Sequence, residues 1–206
     1  MVDNDSVDTT EDRAAIEVRI RDATTQGDFQ RAATEALQLY GSELFGYLCN
    51  VARDEDLASD AFSATCERMW RGLPEFRWES SLRSWLYTIA RNAMSTLRSH
   101  PSRRPERNAS VSELDDLALK IRTATLPIHR TEVREGIRAL RDALSPEDNE
   151  LVLLRIDRKM SWRDIARVTH DGPPEELDKY TASLRKRFER AKDQLRKLAT
   201  ERGLVS

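Results

Sequence analysis

At 206 residues with a formal net charge of -2, the chain has room for one large domain or two small ones, and it is not a uniformly basic nucleic-acid binder. Only 39% of the residues are hydrophobic and no apolar run approaches the length of a membrane span, so we expect no membrane insertion. No secretory signal pattern follows Met1, which predicts a cytoplasmic protein.

The charges are unevenly distributed along the chain. Residues 1–60 hold 14 acidic residues against five arginines, whereas residues 179–202 hold nine basic residues against three acidic ones. This asymmetry suggests two halves with different partners. Solvated helix faces in both halves explain the same counts, so charge alone does not identify a partner.

The first half of the chain reads as a series of amphipathic helices. Residues 1–11 are acidic and poor in apolar side chains, which predicts a disordered leader. Apolar spacing then predicts helices from about Asp12 to Thr25 and, after a break at Gly27, to about Ala52. A third helix is predicted over 56–71. One of its faces is acidic and is most simply explained as a solvated surface; it carries Asp56, Asp60, Ser63 and Glu67.

Three of the four tryptophans lie within residues 70–92, interleaved with arginines. A loop from Gly72 to Glu79 leads through Ser80 or Ser81, as N-cap, into a predicted helix from Leu82 to about Arg98. An apolar stripe on this helix would face a core, and another face carries Arg83, Tyr87, Arg91 and Arg98. Cations beside aromatic rings suit single-stranded nucleic acid, although core aromatics with solvating arginines are the commoner arrangement.

The connection after this helix is predicted to be a linker over 99–130. Its first part is rich in proline, small polar and basic residues, which is typical of a mobile segment. Ser112 then caps a short amphipathic helix that Pro127 is predicted to end. That helix either contacts a partner or folds back on one of the domains.

A second helical domain is predicted over 131–206. After a helix marked by Val133, Ile137, Leu140 and Leu144, two capping serines, Ser145 and Ser161, each start a short helix. The Gly172-Pro-Pro174 run stops the chain before a final basic helix that reaches about Glu201. This layout is typical of a helix-turn-helix DNA reader, and a basic helical hairpin or short coiled coil would give a similar pattern.

Two stretches of this sequence resemble a known family. Trp70-Arg-Gly-Leu-Pro-Glu-Phe-Arg77 and Ser81-Leu-Arg-Ser-Trp-Leu-Tyr-Thr-Ile-Ala-Arg-Asn92 resemble the promoter-melting part of extracytoplasmic-function (ECF) sigma factors, small members of the sigma-70 family. The second domain resembles that family's −35-reading domain through Leu144-Ser-Pro-Glu-Asp148, Met160-Ser-Trp-Arg-Asp-Ile-Ala166 and Ser183-Leu-Arg-Lys-Arg-Phe-Glu-Arg-Ala191. The chain departs from the family pattern at Ala61-Phe62-Ser63 and in a long turn over 171–181.

The resemblance implies an all-α fold of two small helical domains joined by a flexible linker. Residues 12–98 would form the core-binding and −10-recognition domain, and residues 131–206 the helix-turn-helix domain that recognises −35 DNA. The implied partners are promoter DNA and RNA polymerase core, contacted through the β′ clamp helices and the β flap. Many members of the family also have an anti-sigma factor as a partner.

The resemblance assigns candidate site residues to three surfaces. Contacts with melted −10 DNA are expected from Phe76, Arg77, Trp78, Ser80, Ser81, Arg83, Tyr87 and Arg91. Contacts with −35 DNA are expected from Arg185, Lys186, Arg187 and Arg190. Contacts with polymerase are expected from Asp56, Asp60 and Glu67. Arginine and lysine bind guanine edges and phosphates alike, so the sequence does not separate these roles.

Three classes of function remain to be compared. A sigma factor would direct promoter-specific initiation without catalytic residues, metal or cofactor of its own. A two-domain helix-turn-helix regulator that does not engage polymerase is the alternative, but it leaves the tryptophan-rich stretch unexplained. An enzyme is disfavoured because the sequence has no catalytic triad or phosphate-binding loop, and its few potential metal ligands are scattered or apolar in context: Cys49, Cys66, His100, His129 and His170.

Overall fold

The computed structural model describes residues 5–100, 112–129 and 140–202, and every regular element within these ranges is helical. The predicted all-α fold class is therefore confirmed. The chain divides into two compact units, Met1–Thr125 and Leu126–Ser206. Within the described ranges, no helix combines the length and the apolar character that crossing a membrane requires.

The first unit is built around its second helix. Its helices are α1 (Asp5–Thr25), α2 (Phe29–Ala52), α3 (Glu55–Gly72), α4 (Leu82–Ser99) and the start of α5 (Ser112–His129). The second helix packs against α1, α3 and α4. Two aromatic contacts fix this packing: the rings of Phe45 and Phe62 lie 5.3 Å apart, and those of Tyr47 and Tyr87 meet edge to face at 5.0 Å.

Side-chain caps begin the central helices close to the predicted positions. Asp28, Asp54 and Ser81 each accept a hydrogen bond from the backbone N–H three residues further on. The first helix begins earlier than predicted, at Asp5 instead of Asp12, so it includes most of the segment predicted to be a disordered leader. Residues 5–12 contain neither proline nor glycine, so nothing in their backbone chemistry interrupts the helix.

The predicted linker over 99–130 contains a helix that belongs to the first unit. Leu114, Ala118, Ile121 and Thr125 of α5 are buried, so the amphipathic helix folds back on its own domain. It also continues past Pro127 to His129. A proline near a helix C-terminus removes one N–H donor without ending the helix at once.

The second unit contains three helices over residues 140–202, after a helical end at Leu140 and Arg141. These are α6 (Pro146–Val152), α7 (Trp162–Thr169) and α8 (Leu177–Glu201), and a π-helical turn (Leu153–Asp157) extends α6. The capping predictions for Ser145 and Ser161 are confirmed, because each hydroxyl accepts the N–H three residues on. Val133 and Ile137, which predict a further helix, lie outside the described residues.

The last helix packs against both α6 and α7. Leu184, Phe188 and Ala191 form its buried side. Phe188 meets Trp162 edge to face at 5.3 Å, and the guanidinium of Arg155 covers the Trp162 ring at 4.7 Å. The exposed side of α8 is therefore fixed by apolar contacts on the opposite side.

Side-chain contacts hold the long turn between α7 and α8. The His170 ring lies 4.7 Å from that of Tyr180, and the Tyr180 hydroxyl donates to the carbonyl of Thr169 over 3.3 Å. A Cβ at Gly172 would lie 2.7 Å from Cε1 of His170, so glycine lets the His170 ring approach the backbone of the turn. The turn sets the direction in which α8 leaves α7. The assignment of this arrangement as a DNA-reading helix-turn-helix stays a prediction.

Candidate nucleic-acid interface

Three aromatic rings cluster at the loop between α3 and α4. The Phe76 ring stacks on Trp85 with centroids 4.5 Å apart and planes inclined by 22°, and it lies 4.9 Å from Trp78. Leu73, fully buried in the short 3₁₀ turn that opens the loop, anchors the loop to the unit. We call Phe76, Trp78 and Trp85 the aromatic cluster; all three side chains are half-buried.

Trp78 is held in a backbone conformation that bulky residues rarely adopt. Its φ of 57° lies in the left-handed region, which costs about 1 kcal/mol or more for a residue with a Cβ. The guanidinium of Arg21, from α1, covers the indole at 5.5 Å from the ring centroid. Backbone strain of this kind concentrates at binding sites, where surrounding contacts hold the conformation.

A cavity of about 400 Å³ opens beside the aromatic cluster. Aromatic, basic, acidic and hydroxyl side chains line it together with one glycine: Gly72, Glu75, Phe76, Arg77, Glu79, Ser80 and Trp85. A Cβ at Gly72 would lie 2.9 Å from Cζ2 of Trp85, so glycine lets the indole approach the backbone. An aromatic wall with a polar rim can take up a planar, hydrogen-bonding ligand such as a nucleobase.

Arg83 and Tyr87 do not lie on the surface where the sequence places them. Both contact Glu43 of α2: Arg83 donates through Nε over 2.7 Å and through Nη2, and the Tyr87 hydroxyl donates over 2.9 Å. Tyr87 is 0% exposed and Arg83 22%, whereas the alternating pattern of α4 predicted a face open to DNA. The Tyr87 ring is therefore part of the core, because its hydroxyl finds a carboxylate partner there.

The remaining loop residues divide between scaffold and surface. Ser81 begins α4: its hydroxyl accepts from the Ser84 N–H over 3.1 Å and donates to Oγ of Ser84 over 2.8 Å. Arg77 is exposed, whereas Ser80 and Arg91 are half-buried. The structure thus brings Phe76, Arg77 and Ser80 together around the cavity and gives Ser81 a capping role.

The basic residues predicted for −35 DNA lie on one helix in two different environments. Arg185, Lys186 and Arg190 are exposed on α8. Arg187 is half-buried and pairs with carboxylates at the start of α6: its Nε donates to Oδ1 of Asp148, and its Nη2 lies 3.6 Å from Oε2 of Glu147. Arg187 therefore joins two helices, while the other three cations face outward.

The ion pair at Arg187 perturbs its carboxylate partner. Burial alone would raise the pKa of Asp148, but hydrogen bonds from Arg187 and Ser145 and the charges of Arg187 and Arg190 bring that pKa below its ordinary range. A cavity of about 440 Å³ lies at the same place, lined by Asp148, Arg187, Arg190, Ala191 and Gln194. Its lining includes the carboxylate of Asp148 as well as two arginines. It is therefore a weaker candidate for binding phosphate than the exposed cations of α8.

The sequence matches known proteins in the part of the chain that holds the aromatic cluster. Residues 37–104 match the family described as Sigma-70 region 2. The ECF RNA polymerase sigma factor SigM of Bacillus subtilis (strain 168) is 23% identical over 137 residues, which cover 65% of this chain and 79% of that protein. Residues 37–104 therefore belong to the Sigma-70 region 2 family. The resemblance to ECF sigma factors drawn from the motifs is confirmed.

The residues predicted to contact polymerase lie along α3. Asp56 is exposed, Asp60 is half-buried, and Glu67 accepts an ion pair from Arg71 at 2.6 Å, one turn further on. Arg122 of α5 reaches the same helix and donates to the hydroxyls of Ser59 (3.1 Å) and Ser63 (3.0 Å). Ser63 belongs to the acidic face that the sequence predicts, so α5 contacts that face directly.

The sequence analysis missed two residues that organise the aromatic cluster and α4. Glu43 receives Arg83 and Tyr87, and Arg21 covers Trp78. The sequence contains a sign of the role of Glu43, because this carboxylate lies between the inward-facing residues Tyr40 and Leu44 of α2. The sequence contains no such sign for Arg21, because an exposed arginine on a helix is typical of a solvated face. Among the described residues, no cluster of His, Cys, Asp and Glu could hold a metal ion.

Proposed function

We propose that this chain is a sigma factor that binds RNA polymerase core and directs initiation by melting −10 DNA at the aromatic cluster and reading −35 DNA with α8. The match of residues 37–104 to Sigma-70 region 2 and the likeness to an ECF RNA polymerase sigma factor support the role with RNA polymerase. The observation that supports the finer proposal is the aromatic cluster with its adjoining cavity on the α3–α4 loop.

Melting costs the stacking energy of the base pairs that open. An aromatic ring that stacks on an unpaired base returns about 1–3 kcal/mol per base, whatever the base is. Trp78, half-buried at the loop, offers such a ring, and the cavity beside Phe76 offers a place for a base that has left the stack. Arg77 and Ser80 at the rim supply a cation and a hydroxyl for the backbone or the base edge, with Arg91 as a further backbone contact.

The other candidate residues of α4 support this loop from within. Ser81 starts the helix, and Arg83 and Tyr87 attach it to α2 through Glu43. These contacts keep the loop in one position before DNA arrives, which lowers the ordering cost of binding. We therefore assign Arg83, Tyr87 and Ser81 to positioning rather than to direct DNA contact.

The second unit supplies the duplex contact in this proposal. Arg185, Lys186 and Arg190 face outward on a helix whose opposite side is buried, an arrangement that suits insertion into a major groove. Arg187 holds α8 against α6. Each cation that neutralises a phosphate also makes affinity depend on salt concentration.

Run-off transcription with RNA polymerase core on a library of promoter fragments tests the proposal. We expect transcripts only when this chain is added, and permanganate reactivity of thymines near −10 should report the opened strand. DNA binding without polymerase association would support a separate regulator instead. Transcription without dependence on the −35 sequence would remove α8 from promoter reading.

A further inference from the structure

The fifth helix contacts α2 through Ile121 and α3 through Arg122, and its buried residues share one side. Leu114, Ala118, Ile121 and Thr125 are buried along it, at the spacing of one helix face. A Cβ built on Gly41 of α2 would lie only 2.5 Å from Cδ1 of Ile121, so glycine at position 41 allows the close approach. The outer side of α5 is exposed, as Leu119 shows with 54% of its surface accessible.

Arg122 extends this contact onto α3. Its Nη1 atom donates to Ser59 and Ser63, which lie on adjacent turns. Asp60 lies three residues before Ser63 and Glu67 lies four residues after it, so all three share one side of α3. The guanidinium of Arg122 therefore contacts the acidic face of α3 at Ser63. A basic side chain of a binding partner would have to enter the same face.

The thiol of Cys66 on α3 is also influenced by α5. Burial raises the pKa of its thiol to about 12, and the charges of Arg122 and Asp115, both on α5, act on it with opposite signs. Cys66 lies one turn beyond Ser63 on α3. The fifth helix therefore contacts α3 at Ser59 and Ser63, and the charges of its side chains reach Cys66, about two turns beyond Ser59.

We propose that α5 is a built-in competitor of RNA polymerase for the acidic face of α3. The proposal rests on the proposed function, because that face is where the polymerase is expected to dock. In the docked state Arg122 occupies the position of a partner's cation, and α5 must leave before the polymerase binds. The apparent affinity for polymerase is then reduced in proportion to the fraction of molecules in which α5 has left.

A disulfide that fixes α5 to α2 tests the competition. Atoms Cγ1 and Cγ2 of Ile121 both lie 3.5 Å from the Cβ position of residue 41, which brings a cysteine pair at these positions within reach of a bond. The double variant Gly41→Cys/Ile121→Cys should crosslink under mild oxidation, and Cys66 should react slowly because of its raised pKa. We expect the oxidised protein to bind core polymerase about tenfold or more weakly than the reduced protein.

Release of α5 should have the opposite effect. Arg122→Ala should bind core polymerase about three- to tenfold more tightly and should speed alkylation of Cys66, measured by peptide mass spectrometry. Lys120→Ala is the matched control, because it removes one exposed positive charge from the same helix without touching α3. It should leave both measurements unchanged.

Two results would overturn the competition. Equal or tighter binding by the oxidised double variant would make α5 part of the docking surface, and failure of the disulfide to form would place α5 elsewhere. Failure of the sigma-factor role itself looks different: wild-type and reduced proteins would then show no binding to core polymerase, while Cys66 of the wild type remains protected.

Discussion

Glu43 and Arg83, 40 residues apart in sequence, form a half-buried ion pair that joins α2 to α4. The Glu43 side chain is only 12% exposed and also accepts the hydroxyl of Tyr87. Arg13 of α1 lies 3.6 Å from its second oxygen. One carboxylate therefore links three helices of the unit that carries the aromatic cluster.

Removal of this carboxylate should destabilise the first unit. We expect Glu43→Ala to lower the free energy of unfolding by about 2–3 kcal/mol, because Arg83 and Tyr87 lose a buried partner. Urea-induced unfolding followed by circular dichroism measures the change. Glu75→Ala, which removes an exposed carboxylate of the loop, is the control and should change stability by less than about 0.5 kcal/mol. An equal effect of both substitutions would contradict the role of the ion pair.

Trp78 should matter for promoter opening more than for polymerase binding. Its ring is half-buried at the loop surface, so Trp78→Ala should reduce open-complex formation about tenfold or more and leave core affinity nearly unchanged. Fluorescence of 2-aminopurine placed near −10 reports opening, and a polymerase pull-down reports affinity. Trp78→Phe keeps an aromatic face and should restore most of the opening. Parallel loss of both activities would instead make Trp78 a structural residue.

The exposed cations of α8 should determine the salt dependence of duplex binding. If Arg185 and Lys186 each neutralise a phosphate, their joint replacement by alanine should reduce the slope of log affinity against log salt by about 1.8. Fluorescence anisotropy with a −35 duplex at several salt concentrations gives the slope. Arg196→Ala/Lys197→Ala removes two exposed charges further along the same helix and is the matched control. A slope that changes equally in both variants would place the DNA elsewhere on α8.

Arg187 should act through stability and not through the salt slope. Its ion pair with Asp148 is partly exposed, so Asp148→Asn should destabilise α8 by only about 0.5–1 kcal/mol. The pKa of Asp148 is lowered in the folded state, so this contribution is present above the ordinary value of 3.8 and disappears as pH falls through the lowered value. Hydrogen exchange of α8 should therefore separate wild type from variant at pH 7 and less at a pH below 3.8.

Asp193→Asn is the control for that measurement, because Asp193 is 70% exposed and pairs only within α8. It should leave exchange rates unchanged at both pH values. A difference between Asp148→Asn and wild type that is constant with pH would show that the lost interaction is a neutral hydrogen bond.

Local chemistry explains why much of the fold could be predicted. Asp28, Ser81, Ser145 and Ser161 cap helices by bonding to a backbone N–H three residues away, so the signal lies within four residues of sequence. The all-α class follows from repeated apolar spacing in the same way. The family resemblance covers the loop that carries the aromatic cluster, so its position was also predicted.

The errors concern partners that are distant in sequence. Tyr87 occupies a helix position that the sequence pattern places at the surface, and its burial depends on two distant residues of α2, Glu43 and Tyr47. The ion pair of Arg187 with Asp148, 39 residues earlier, is likewise invisible in the local sequence, and the −35 contact of Arg187 stays a prediction. The docking of α5 depends on Gly41 and Ser63, which one amphipathic pattern cannot reveal. Periodicity indicates which residues share a face but not which helix covers that face.

The loop that carries the aromatic cluster has an interior and an exterior made by different residues. Leu73 and Ser81 fix its two ends, and Gly72 and Trp85 fix its floor. Its outward positions, such as Arg77 and Glu79, take no part in that framework. New side chains at these positions should therefore change the chemistry of the loop surface with little effect on the folding free energy, so the surface and the scaffold can vary independently.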